Sequence, residues 1–156
     1  MNKRPFVIGL TGNIATGKSL VAKMQSNLGA EHIDADRLAH QVMAPGTPAH
    51  HQIAATFGPE VLAADGTIDR PKLGRVVFGD SHALARLEEI VHPAVIQLTR
   101  DRIAGSAAPV VVVEAIKLIE SGMVRQLCDT LWVVSAPRAL QIQRLIDVGD
   151  RSFVIR

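Results

Sequence analysis

The chain has 156 residues, 47% of them hydrophobic and 21% charged, and its 17 Lys+Arg against 15 Asp+Glu leave a net charge of +2 at pH 7. That size and balance predict one compact domain that removes about 70% of its unfolded surface from water, and they exclude the disordered class. The charges are mixed along the chain without a basic run, which leaves no electrostatic case for nucleic acid. The single cysteine, Cys128, excludes an internal disulfide and a cysteine-based metal site and fits a reducing compartment.

The basic start, Met1-Asn2-Lys3-Arg4, precedes an apolar stretch that runs only from Phe6 to Leu10. A signal-peptide core needs about 7–15 apolar residues and a membrane helix about 20, and neither follows. The expectation is a cytoplasmic protein with no membrane segment.

Four short β-like segments alternate with helical patterns: Phe6–Leu10, Glu31–Asp34, Val110–Val113 and Thr130–Val134. The first, third and fourth are apolar without alternation, as parallel strands covered on both faces are. After the first, Leu20, Val21, Met24 and Leu28 recur at helical spacing, and Gly29 stands where a helix stops. The order predicts an α/β fold, a parallel sheet flanked by helices, with right-handed crossovers.

The stretch between the second and third strands is too long for one crossover helix. Thr47-Pro48 offers a cap and a first helical proline, and Gly58 ends that piece. Asp65-Gly66 is a turn signal, and Asp69 can cap a piece holding Leu73, Val76 and Val77. Ser81 can cap a long run carrying Leu84, Leu87, Val91, Val95 and Leu98, which Pro93 is expected to kink or split after His92. The chain therefore reads as one domain, 1–156, with a helical insertion at about 45–105 that serves a substrate.

Gly12-Asn13-Ile14-Ala15-Thr16-Gly17-Lys18-Ser19 fits G-x-x-x-x-G-K-[ST] at all four fixed positions, between an apolar strand and an amphipathic helix. Glycines at 12 and 17 let successive backbone N–H groups converge on phosphate oxygens, and the helix dipole points at the same anion. Lys18 would reach the β- and γ-phosphates, and the Ser19 hydroxyl would ligate Mg²⁺. This predicts a site for a nucleoside triphosphate, with Gly12, Asn13, Ala15, Thr16, Gly17, Lys18, Ser19 and Leu20 as its binding stretch. No N-K-x-D guanine reader follows, and the length suits a small metabolite kinase.

Asp34 and Asp36 close the second strand, and the C-terminal ends of strands in open parallel sheets face ligand crevices. A carboxylate there can take a proton from an acceptor hydroxyl, whereas the structural alternative makes Asp36 a cap for the helix that begins at Arg37. Glu114 and Glu120 follow the third strand, where an acid can stand near the water shell of a metal. Arg138 and Arg144 lie in a helical pattern opened by Pro137, and an arginine there can clamp a transferring phosphate. His40, His50 and His51 show no metal-ligand spacing.

These stretches, in order, resemble dephospho-CoA kinases. The residues that carry the resemblance are Ile8-Gly9-Leu10-Thr11-Gly12 into the phosphate loop, Leu28-Gly29-Ala30, Ile33-Asp34-Ala35-Asp36, Ala44-Pro45-Gly46-Thr47-Pro48-Ala49, Phe57-Gly58, Asp65-Gly66-Thr67-Ile68-Asp69-Arg70, Val77-Phe78 and His92-Pro93. The resemblance implies ATP-dependent phosphorylation of the ribose 3′-hydroxyl of dephospho-CoA, the last step of coenzyme A biosynthesis. It also implies Asp36 as the acid/base with Asp34 in support, Arg144 as a lid arginine, and Arg70 and His92 on the acceptor side.

The sequence departs from the family pattern at Asn13 and Ala15, where glycines are usual, at Leu20, where threonine is usual, and over Ile116–Glu120. After Leu145 the family continues through a lid, a further strand and a helix, so the resemblance implies a C-terminally shortened chain. Two alternatives stay open at this point: a remnant that holds ATP–Mg²⁺ without turnover, and a kinase for another nucleoside-like acceptor.

Overall fold

A computed structural model describes residues 4–115, 122 and 125–154. Glu120 and the Ile116–Glu120 stretch lie outside the described residues. Contacts divide the chain into two compact units, one formed by Met1–Ile33 with Ile103–Arg156 and the other by Asp34–Arg102.

The first unit is built on strands β1 (Phe6–Thr11), β2 (Glu31–Asp34), β3 (Val110–Glu114) and β4 (Thr130–Val133). They form a parallel sheet in the order β2-β3-β1-β4, with Leu10 opposite Glu114 on one side and opposite Trp132 on the other. Val7, Leu10, Val111, Val112 and Val113 are fully buried, which explains why β1 and β3 read as unbroken apolar runs. The apolar β4 is not covered on both faces: Trp132 is 45% and Val133 70% exposed. Helix α1 (Lys18–Asn27) follows β1, and its Ala22 packs on Ile8, Leu10 and Val112.

The sheet-facing side of α1 is not the side that the apolar spacing indicates. Lys18, Ala22 and Gln25 are buried and Val21 packs against the same core, whereas the other spaced apolar residues, Leu20, Met24 and Leu28, are 58%, 54% and 88% exposed. The loop before the helix fixes this rotation, because it holds Lys18 inward and thereby turns the i+4 and i+7 positions to the sheet.

The second unit is helical: α2 (Ala35–Val42), α3 (Pro48–Phe57), α4 (Arg70–Phe78) and most of α5 (Ser81–Gly105). Thr47 caps α3 through His50 N–H, and Asp69 caps α4 through Lys72 N–H, as their sequence positions predict. Two expectations change. Asp80, not Ser81, caps α5, its carboxylate accepting from His82 N–H at 2.8 Å and its carbonyl from Leu84 N–H at 3.0 Å. The helix also runs through Pro93 without ending. Proline removes one helical hydrogen bond, but Val91, Val95 and Thr99 are buried along the same helix and hold it in place. The chain re-enters the first unit at Ile103, and helix α6 (Arg138–Val154) is the last element of that unit.

Candidate active site

The turn from β1 into α1 is shaped by backbone geometry that few residues tolerate. Gly12 has φ 150, and a Cβ there would lie 2.3 Å from the Val134 carbonyl oxygen, so only glycine fits. Gly17, the residue before α1, has φ 104 and accepts the first helical hydrogen bonds from Leu20 and Val21. Between them Ala15 takes the left-handed conformation at φ 58, which strains a residue with a Cβ. The Asn13 carbonyl ties the turn, accepting from Thr16 Oγ1 at 2.8 Å and from Lys18 Nζ at 3.4 Å.

This turn walls a cleft of about 660 Å³ lined by Ile14 to Leu20 and by Arg144, Leu145 and Asp147 of α6. Arg144 Nη1 donates to the Ala15 carbonyl at 2.9 Å, which seats a guanidinium at the rim of the loop. The Lys18 ammonium, the Arg144 guanidinium and the N-terminus of α1 thus gather positive charge around exposed backbone, an arrangement suited to phosphate. Gly12 and Asn13, also expected in the binding stretch, do not line the cleft. Leu145 and Asp147 of α6 add to the lining beyond the sequence reading; Asp147 is signalled by its i+3 spacing from Arg144, and no spacing signals Leu145.

In the second unit, Asp34 takes the capping role: its Oδ1 accepts from Asp36 N–H at 2.9 Å and from Arg37 N–H at 3.2 Å. The helix therefore begins at Ala35, two residues earlier than an Asp36 cap requires, and the structural alternative for Asp36 fails. Asp36 is exposed in the first turn, and its carboxylate accepts no hydrogen bond among the described residues. His40 lies one turn on from Asp36 along α2, and its Nε2 accepts from Arg70 Nη1 at the start of α4. No sequence spacing signals that pairing, which joins residues 30 positions apart. His92 is half-buried on α5, in the same unit.

Serine and carboxylate oxygens are hard donors suited to Mg²⁺, and Ser19 on α1 and Glu114 at the end of β3 supply them. Among the described residues no group of three or more His, Cys, Asp and Glu could hold a metal ion. Mg²⁺ commonly takes one or two protein oxygens and completes its shell with phosphate and water, so the donor set fits a cation that arrives with a triphosphate.

A family model for dephospho-CoA kinase matches residues 6–153. The chain belongs to the dephospho-CoA kinase family. A dephospho-CoA kinase from Geobacter metallireducens is 51% identical over 145 residues, covering 91% of this chain and 72% of its own length. One from Moorella thermoacetica is 45% identical over 145 residues, covering 90% of this chain and 68% of its own. A crystal structure from Thermus thermophilus superposes with a TM-score of 0.79 at 33% identity, covering 93% of this chain and 73% of that one. The dephospho-CoA kinase from Campylobacter jejuni, at 19% identity and TM-score 0.57, shares the fold. Membership in this family makes the chain a phosphotransferase, and no helix among the described residues is long and apolar enough to cross a membrane.

Proposed function

We propose that this protein transfers the γ-phosphate of ATP to the ribose 3′-hydroxyl of dephospho-CoA, yielding coenzyme A and ADP. The observation that carries the reading is the cleft in which Lys18, Ser19 and Arg144 meet around a glycine-shaped loop, in a chain of this family. Relatives that bear the kinase's name at 51% and 45% identity favour it over an ATP-holding remnant and over a kinase for another nucleoside-like acceptor.

In this reading the loop amides of residues 12–20 and Lys18 bind the β- and γ-phosphates, and Arg144 neutralises charge on the group in transfer. Ser19 holds the Mg²⁺ that accompanies ATP; the cation supplies charge neutralisation at the phosphate oxygens when bound. Asp36, whose carboxylate is not spent on capping, takes the proton of the 3′-hydroxyl. The hydroxyl oxygen then bonds to the γ-phosphorus while the bond to the β–γ bridging oxygen breaks, and ADP leaves. Asp34 supports Asp36 by fixing the start of α2, and Arg70 and His92 contact the acceptor. The single cysteine and the mixed surface charge favour the cytoplasm, with no nucleic-acid partner.

The test is ADP release from ATP–Mg²⁺ with dephospho-CoA, with adenosine, and with no acceptor. Release that depends on dephospho-CoA supports the proposal. Equal release with adenosine would assign another acceptor, and ATP binding with no release would restore the remnant reading.

A further inference from the structure

We infer that His32 is a positioning residue for Glu114: it holds one oxygen of that carboxylate so that the other faces the water shell of the cation carried with the triphosphate. The inference rests on the nucleotide–Mg²⁺ reading of the loop given above.

The register places Glu114 beside the loop. It pairs with Leu10, two residues before Gly12, and Ala115 N–H donates to the Leu10 carbonyl at 3.2 Å, which ties the end of β3 to the strand that feeds the loop. Partners in a parallel ladder share a face, and Leu10 is packed against Ala22 of α1. Glu114 therefore leaves the sheet on the face covered by α1, the helix whose first turn carries Ser19.

The side chain there is enclosed, with 18% exposure, and an enclosed carboxylate needs a partner. His32, on the neighbouring strand β2, supplies it: Nε2–H donates to Glu114 Oε2 at 3.1 Å. No other described residue bonds this carboxylate, so Oε1 keeps its full acceptor capacity. Without the imidazole, the terminal torsion of Glu114 is broad and its oxygens exchange places. Groups that orient a metal's ligands commonly change metal affinity about 10–100-fold when removed.

The test is calorimetric titration of a non-hydrolysable ATP analogue over a series of Mg²⁺ concentrations, with wild type, His32→Phe and His32→Gln. Glutamine can place its amide nitrogen near the site of Nε2, whereas phenylalanine cannot donate. His32→Phe should need about tenfold more Mg²⁺ to reach a given analogue affinity, with unchanged affinity in Mg²⁺-free buffer. His32→Gln should recover most of the loss. Glu114→Gln should raise the requirement similarly and show no further increase when combined with His32→Phe, which keeps the pair testable if one variant is poorly folded. An equal Mg²⁺ requirement in wild type and His32→Phe, an equal loss without Mg²⁺, or no rescue by glutamine would overturn the role of His32. A wild type whose analogue affinity ignores Mg²⁺ would instead overturn the nucleotide–metal reading beneath it.

Discussion

Arg144 donates from Nη1 to the main-chain carbonyl of Ala15 at 2.9 Å, joining positions 129 residues apart in sequence. The contact uses one edge of the guanidinium and leaves its remaining donors for phosphate oxygens. Arg144→Ala should lower kcat by about 10²–10³-fold, the cost of one well-placed donor to a transition-state oxygen, while ATP binding weakens less. Arg144→Lys should recover little, since an ammonium cannot bridge a carbonyl and a phosphate in one plane. Steady-state kinetics with both variants check this; a kcat unchanged in Arg144→Ala would remove Arg144 from the phosphate site.

Ala15 carries left-handed strain at φ 58 within the same loop. Glycine adopts that conformation freely, though it costs more entropy on folding. The net expectation for Ala15→Gly is a gain of up to about 1 kcal/mol in stability, with analogue binding retained. Urea unfolding measures it, and a clear loss of stability would contradict the assigned conformation.

Much of this architecture was legible because single residues dictate it. The unalternated apolar runs of β1 and β3 mark buried parallel strands, though that of β4 does not, and Thr47, Gly58 and Asp69 mark helix ends through local hydrogen bonds. The loop was legible because Gly12 meets a carbonyl at a distance that no side chain allows. What the sequence hid depends on long-range geometry. The rotation of α1 follows the loop rather than its apolar spacing, and the choice between Asp34 and Asp36 as cap turns on a two-residue shift in helix start. The contacts of His40 with Arg70, and of His32 with Glu114, join residues 30 and 82 positions apart that no periodicity connects.

Gln25 records the cost of that rotation. It is 9% exposed on the sheet-facing side of α1, and neither side-chain polar atom has a hydrogen-bond partner among the described residues. A buried unpaired amide costs about 1–3 kcal/mol, so Gln25→Met, of similar length and without polar atoms, should raise stability by an amount in that range. Thermal unfolding decides the sign; destabilisation would mean that Gln25 does have a partner.

Asp129 fastens the start of β1 to the start of β4. Its Oδ2 accepts from Val7 N–H at 2.7 Å and its Oδ1 from Arg4 at 2.9 Å. The Val7 hydrogen bond, helped by Arg4, holds the carboxyl below its usual range. Its contribution is therefore complete above the unfolded value, near 3.8, and is lost as pH falls through the lowered folded value. Asp129→Asn should be less stable than wild type at pH 7, and the gap should narrow below about pH 3.8. Paired unfolding curves across that range check it, and a gap independent of pH would contradict the account.

The most direct measurement follows label from ATP carrying a marked terminal phosphate to dephospho-CoA, comparing wild type with Lys18→Ala and Asp36→Asn. The account predicts labelled coenzyme A, with the phosphate on the ribose 3′-oxygen, from wild type and none from Lys18→Ala. Asp36→Asn should bind ATP yet transfer label about 10²–10⁴-fold more slowly. Label on another position, or transfer unaffected by Lys18→Ala, would contradict it.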